Sequence, residues 1–131
     1  MKTSTNALTA RYCASVGRPC ETVQSWRGRQ RHDLFGIADS LMLSEGIVLF
    51  VQNCSYGTLK SHRDAISVHP MLPVLTAYGR VELWEWRRMK LKRGGKNKGR
   101  EWYLRTQGFE RGAWTEPSAW VGPFDLYPKK L

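Results

Sequence analysis

"GIADSLMLSEGIVLFVQNC", residues 36–54, decides the fold. Two apolar runs, residues 37–43 and 47–51, flank Ser44-Glu45-Gly46. Apolar run, glycine-bearing turn and apolar run together predict a β-hairpin. The second run, IVLFV, shows no polar alternation, as in a central strand covered on both faces. A two-residue loop at Glu45-Gly46 pairs Ser44 with Ile47. Counting outward then sets Asp39 directly opposite Gln52, on the same face of the hairpin. A slip of one residue would separate them. A carboxylate in an apolar strand is costly unless something neutralises it. Two partners are open for Asp39: a metal ion, or an arginine such as Arg31 or Arg63.

Outward from the hairpin, the pattern predicts a helix over 6–16, with Ala7, Leu8, Tyr12 and Val16 on one face. Ser4, Thr5 or Asn6 is its cap and Gly17-Arg18-Pro19 its end. A strand over 20–26 follows, packing through Val23 and Trp26, then a basic polar loop over 27–32, RGRQRH. Tyr56-Gly57-Thr58 reads as a turn, and 59–68 as a helix with Leu59 and Ile66 inward. The segment 71–79 reads as a broken helix bounded by prolines. Residues 80–91 form a strand whose Trp84 and Trp86 share a face with Glu82, and 101–106 return as its partner across a basic turn at 94–99. The order α-β-β-β-α-β-β defines a single small α/β domain, a mixed sheet with flanking helices. It covers 1–109, and 110–131 reads as an extended tail ordered where its aromatics dock.

A chain of 131 residues supports one domain with a modest core. No apolar run approaches the roughly 20 residues of a membrane span, and the first residues lack an apolar leader. The expected place is therefore a cytoplasm, that of a host if the chain is phage-encoded. Cys13, Cys20 and Cys54 are odd in number and unevenly spaced, which excludes a disulfide framework and a zinc signature. Cys54 reads as a small buried residue; His32, His62 and His69 read as surface or packing residues.

The net charge is +10, with a pI near 10.0. Between Arg80 and Arg105 stand ten Lys/Arg against three Glu, with three of the six tryptophans in the same stretch. A small chain so charged suits a polyanion, nucleic acid first. Lys90, Lys92, Arg93, Lys96, Lys98 and Arg100, on a glycine-rich turn, are the candidate phosphate contacts, joined by Arg31 and Arg63.

Asp39 offers a carboxylate, Gln52 an amide oxygen and residue 53 a carbonyl. Oxygen donors few in number suit magnesium or manganese, which could hold a phosphodiester and activate a water.

The arrangement resembles the PD-(D/E)XK nuclease superfamily, which includes archaeal Holliday junction resolvases and virus-type replication-repair nucleases. The matching residues are "GIAD", ending at Asp39, and "VLFVQNC", with Gln52 and Cys54, followed by a helix. The "DLFG-I-D…VQ" pattern also looks like small phage-encoded proteins of this type. The likeness covers about Arg31 to Ile66 and implies a restriction-endonuclease-like core, Mg²⁺ as cofactor and Asp39 as principal ligand. Two positions depart from the pattern: Gln52 stands where an acid is usual, and Cys54 where a lysine orients water. Lys60 or Arg63 would then stand in for the lysine, and Asp33 or Glu21 for the missing carboxylate. The implied activity is a metal-dependent endonuclease acting on DNA, ahead of RNA, for which a symmetric homodimer would suit cutting two strands. The alternatives are a non-catalytic nucleic-acid-binding module on the same fold, or a phage protein that binds and inhibits a host protein.

Overall fold

The computed structural model describes residues 4–89 and 102–126, except for the side chains of Trp26, Arg27 and Arg31. The chain begins with α1 (Thr5–Val16). Ser4 caps it, its hydroxyl accepting the Ala7 N–H at 3.1 Å, and Gly17 closes it at φ 73°. Strands β1 (Cys20–Thr22), β2 (Ser25–Arg27) and β3 (Gln30–His32) follow. The hairpin is β4 (Ser40–Ser44) and β5 (Ile47–Ser55). Helices α2 (Leu59–Ser67) and α3 (Leu72–Thr76) lead to β6 (Arg80–Arg88) and β7 (Trp102–Glu110), then β8 (Ala113–Trp114) and β9 (Val121–Phe124).

The main sheet runs β1-β4-β5-β6-β7-β8, with β9 also on β7. Among the described strands only β5 and β6 pair in parallel, and α2 and α3 form the crossover such a pair requires. The domain is α/β with a mixed sheet, as the pattern predicts. Side chains alternate across β5. Leu49 and Val51 join Met42, Trp84, Trp86 and Leu104 against Leu8 and Cys13 of α1. Phe50 and Cys54 join Val81 and Leu83 against Leu59 and Ile66 of α2 and Leu72 and Leu75 of α3.

The hairpin register is the expected one: Ser44 pairs with Ile47 and Ser40 with Val51. Glu45 and Gly46 turn at φ 50° and 83°, the left-handed pair that a two-residue hairpin needs. Glutamate is poorly suited there. Glu45→Asn is expected to raise stability by about 0.5 kcal/mol, read as a higher urea midpoint at unchanged slope.

Four expectations change. The strand before the turn starts at Ser40; residues 35–37 form a turn bridged by Leu34 and Ala38, so Asp39 sits at a strand mouth. The strand over 20–26 divides: β1 joins the main sheet while β2 leaves it to pair with β3, so the basic loop over 27–32 is half of a hairpin. The inward face of α1 is Leu8, Thr9 and Cys13, with Val16 54% exposed. Thr9 is inside because its hydroxyl is bonded there, which a count of apolar residues misses. Finally, the boundary at 109/110 cuts β7, and the expected tail contributes β8 and β9 to the sheet. Phe124 lies edge-on to Tyr12 at 5.1 Å, and the Leu126 carbonyl accepts from Arg11 at 2.9 Å.

Candidate functional site

Asp39 enters β4 by donating its N–H to the Val51 carbonyl at 3.0 Å. That bond and the hairpin register bring its buried carboxylate beside Gln52. The Gln52 amide nitrogen donates to Asp39 Oδ2 at 3.0 Å, and the Asn53 N–H donates to Oδ1 at 2.9 Å. The same amide nitrogen lies 3.4 Å from the Asn53 carbonyl. A positively polarised group therefore sits between a carboxylate oxygen and a carbonyl oxygen.

The Asn53 side chain passes to the opposite face of the sheet and ties the hairpin to α1. Its amide donates to Ser40 Oγ at 2.8 Å and Asn6 Oδ1 at 2.9 Å, and its oxygen accepts from Thr9 at 2.6 Å. Thr9 in turn accepts from the Trp86 indole at 2.9 Å. Asn6 donates to Gln24 at 3.3 Å, and Gln24 to Asp33 at 2.7 Å. One polar chain thus runs from the core at Trp86 to Asp33. Thr9→Val keeps the shape but leaves the indole N–H and the Asn53 oxygen unsatisfied. A loss of about 2–4 kcal/mol is expected on chemical unfolding, since each buried orphan costs about 1–3 kcal/mol.

Asp33 and Asp39 share a cavity of about 670 Å³. Gln24 and Gln52 line it, and so do all three histidines of the chain, His32, His62 and His69. Sequence reasoning missed the histidines. They come from β3, from α2 and from the loop after α2, and no spacing in the chain connects them. The Met71 N–H donates to His69 Nδ1 at 3.0 Å. His69 Nε2 lies against Gly36, where an added Cβ would approach to 2.6 Å. Gly36 also turns at φ 74°, so a side chain there is disfavoured twice.

Burial lowers the His62 pKa below its ordinary value, against the opposing pull of Asp33. The folded chain thus disfavours imidazolium, so the unfolded chain binds more protons as pH falls through about 6.5. Stability is expected to drop over that window and level off below the folded pKa. His62→Gln should flatten this part of the pH profile of the unfolding midpoint.

The remaining expected site residues divide. Lys60 does not stand in for the missing lysine: its side chain is 77% exposed and pairs with Asp64 at 2.8 Å, one turn along α2. That pairing lowers the Asp64 pKa. Arg63 also lies beside Asp64, at 3.9 Å, and neither cation lines the cavity. Glu21 is exposed on β1 opposite Leu41 and does not line it either. Cys54 is buried as expected; burial, then the Asp39 and Glu85 carboxylates, push its thiol pKa up, so it supplies neither charge nor nucleophile. By register Cys54 lies beside Glu85, and Glu85 beside Arg105. Glu85 is 1% exposed and accepts from Arg105 at 2.5 and 3.0 Å and from the Gly57 N–H at 3.0 Å. Arg31 lies on β3 opposite Trp26, and the reading of its side chain falls outside the described residues. Lys90, Lys92, Arg93, Lys96, Lys98 and Arg100 also fall outside them.

Among the described residues no group of three or more His, Cys, Asp or Glu side chains is placed to hold a metal ion. None of the described helices is long and apolar enough to cross a membrane. No protein-family model, no curated protein and no solved structure matches the chain.

Proposed function

We propose that the chain is a metal-dependent nucleic-acid phosphodiesterase, an endonuclease acting on DNA, with its chemistry at Asp39 and Gln52. One observation carries this reading: the Gln52 amide nitrogen lies between Asp39 Oδ2 and the Asn53 carbonyl oxygen. Turning the amide over exchanges its nitrogen for oxygen at no change in volume. Asp39, Gln52 and Asn53 would then offer three oxygens in one place. Such a set suits Mg²⁺ or Mn²⁺, which take few protein ligands and keep several waters. Asp33, bonded to Gln24 in the same cavity, would hold such waters at one remove. A cation held by these residues would supply Lewis acidity to a phosphoryl oxygen and to a bound water.

Charge supports the same reading. The cavity contains two aspartates and, among the described residues, no lysine or arginine. Carboxylate oxygens such as those of Asp33 and Asp39 are ligands that a hard divalent cation prefers. Calorimetric titration with MgCl₂ or MnCl₂ tests this. Saturable binding by the wild type, lost in Asp39→Ala, is the expected result; equal binding by both would move the site away from Asp39.

A second reading has its own observation. With Cys54 buried and Lys60 turned to Asp64, no fixed cation among the described residues stands where the superfamily pattern has its lysine. The same fold would then bind nucleic acid without cutting it. That reading expects log affinity to fall steeply and linearly with log salt, with no turnover in Mg²⁺ or Mn²⁺.

A further inference from the structure

On the face of the sheet that carries Gln52 and Glu85, four planar groups lie in series. The Arg87 guanidinium is 4.3 Å from the centre of the Tyr56 ring and 5.8 Å from that of Trp120. The Arg105 guanidinium is 4.7 Å from Trp120 on its own account. The two rings are 6.0 Å apart and tilted by 57°. The sheet explains the grouping. Arg105 pairs with Glu85 across the β6–β7 ladder, and Arg87 is two residues beyond Glu85, hence on the same face. Tyr56 follows directly on β5, and Trp120 directly precedes β9.

The stack is anchored at one end and open at the other. Arg105 is held by the buried Glu85. Arg87 pairs with no carboxylate among the described residues. Tyr56 is 56% exposed. A guanidinium that stacks on rings keeps its in-plane N–H donors for acceptors. Aromatic faces beside such donors match an unpaired nucleotide, whose base stacks while its phosphate accepts. A duplex keeps its base faces inside, so only its phosphates could use the site. An acidic peptide would use the arginines and leave the rings without a role.

We propose that Tyr56, Arg87, Trp120 and Arg105 form a stacking platform for an unpaired nucleobase and its phosphate. The preferred ligand is then single-stranded nucleic acid, or a duplex opened locally. The proposal rests on the nucleic-acid reading above and names the form of its substrate. Tyr56 is four residues from Gln52, at most about 14 Å along the chain. The unpaired stretch would therefore lie beside the Asp39 cavity.

The test is fluorescence anisotropy with the full chain in EDTA, so that no cleavage occurs. The probes are labelled oligothymidylate, a blunt duplex and polyglutamate. Trp120→Ala and Tyr56→Ala are each expected to weaken oligothymidylate binding roughly 5- to 100-fold. Duplex binding should change little, and Trp120→Phe should restore most of the affinity. Circular dichroism checks folding, and the exposed Tyr56 provides the variant least able to disturb it. Wild-type affinity for oligothymidylate in both alanine variants would overturn the platform. So would equal losses on all three probes, which would indicate charge alone. Stacking without magnesium binding would uphold the platform and remove the hydrolytic reading; magnesium-dependent duplex cleavage indifferent to Trp120 would do the reverse.

Discussion

Replacing Asp39 by asparagine is expected to abolish the proposed Mg²⁺-dependent cleavage while the protein stays folded. The substitution preserves volume, and the asparagine oxygen can still accept the Asn53 N–H that Oδ1 accepts at 2.9 Å. What disappears is the buried negative charge that would hold a cation. A metal in such a site contributes several kcal/mol of transition-state stabilisation, so the rate should fall by about three orders of magnitude. The fold is expected to persist because the Gln52 amide, which donates to Oδ2 at 3.0 Å, can turn over and accept from the new side-chain N–H. The outcome is read from a cleavage assay on supercoiled and branched DNA, with thermal unfolding in parallel. Cleavage surviving in folded Asp39→Asn would take Asp39 out of the chemistry. Gln52→Glu provides the converse check: an acid at this position should tighten the proposed Mg²⁺ binding, since the ion would gain a charged ligand.

The largest stability effect is expected at Trp86. Its side chain is 1% exposed, lies edge-on to Tyr12 and Phe124 at 6.1 and 6.5 Å, and donates to Thr9. Truncation to alanine leaves a large cavity between α1 and the sheet and removes a donor from the polar chain that reaches Asn53. Core truncations of this size cost about 3–5 kcal/mol, a large part of the roughly 5–15 kcal/mol that holds a domain together. Trp86→Ala should therefore unfold at much lower urea, or not accumulate in folded form at all. Trp86→Phe, which keeps most of the volume but loses the N–H, separates packing from hydrogen bonding. A Trp86→Ala loss below about 1 kcal/mol would mean that α1 does not close this face.

Much of the site was legible in residues 36–54 because hairpin register is a local property. A two-residue loop, side chains alternating with period two and an uninterrupted apolar second strand were enough to set Asp39 opposite Gln52. The helix after β5 and the strand after it followed from turn residues and periodicity of the same short range. The division at Val23 and Gln24 was hidden, because an apolar and a polar residue in sequence look alike whether a strand continues or changes sheets. Lys60 illustrates the other limit. Its position near the start of α2 was right, but its direction depends on which face of the helix meets the sheet, and the (i, i+4) partner Asp64 holds it outside.

The sequence by itself determined the hairpin, its register, the α/β class with a mixed sheet and the pairing of a carboxylate with an amide at one strand mouth. These follow from interactions among residues close in the chain. Only the tertiary structure decided that α1 is bonded inward through Thr9, that three distant histidines share the cavity of Asp39, and that Tyr56 and Trp120 flank Arg87. Those contacts join separate elements of the chain, and the packing of helices onto two faces of one sheet is what brings them together.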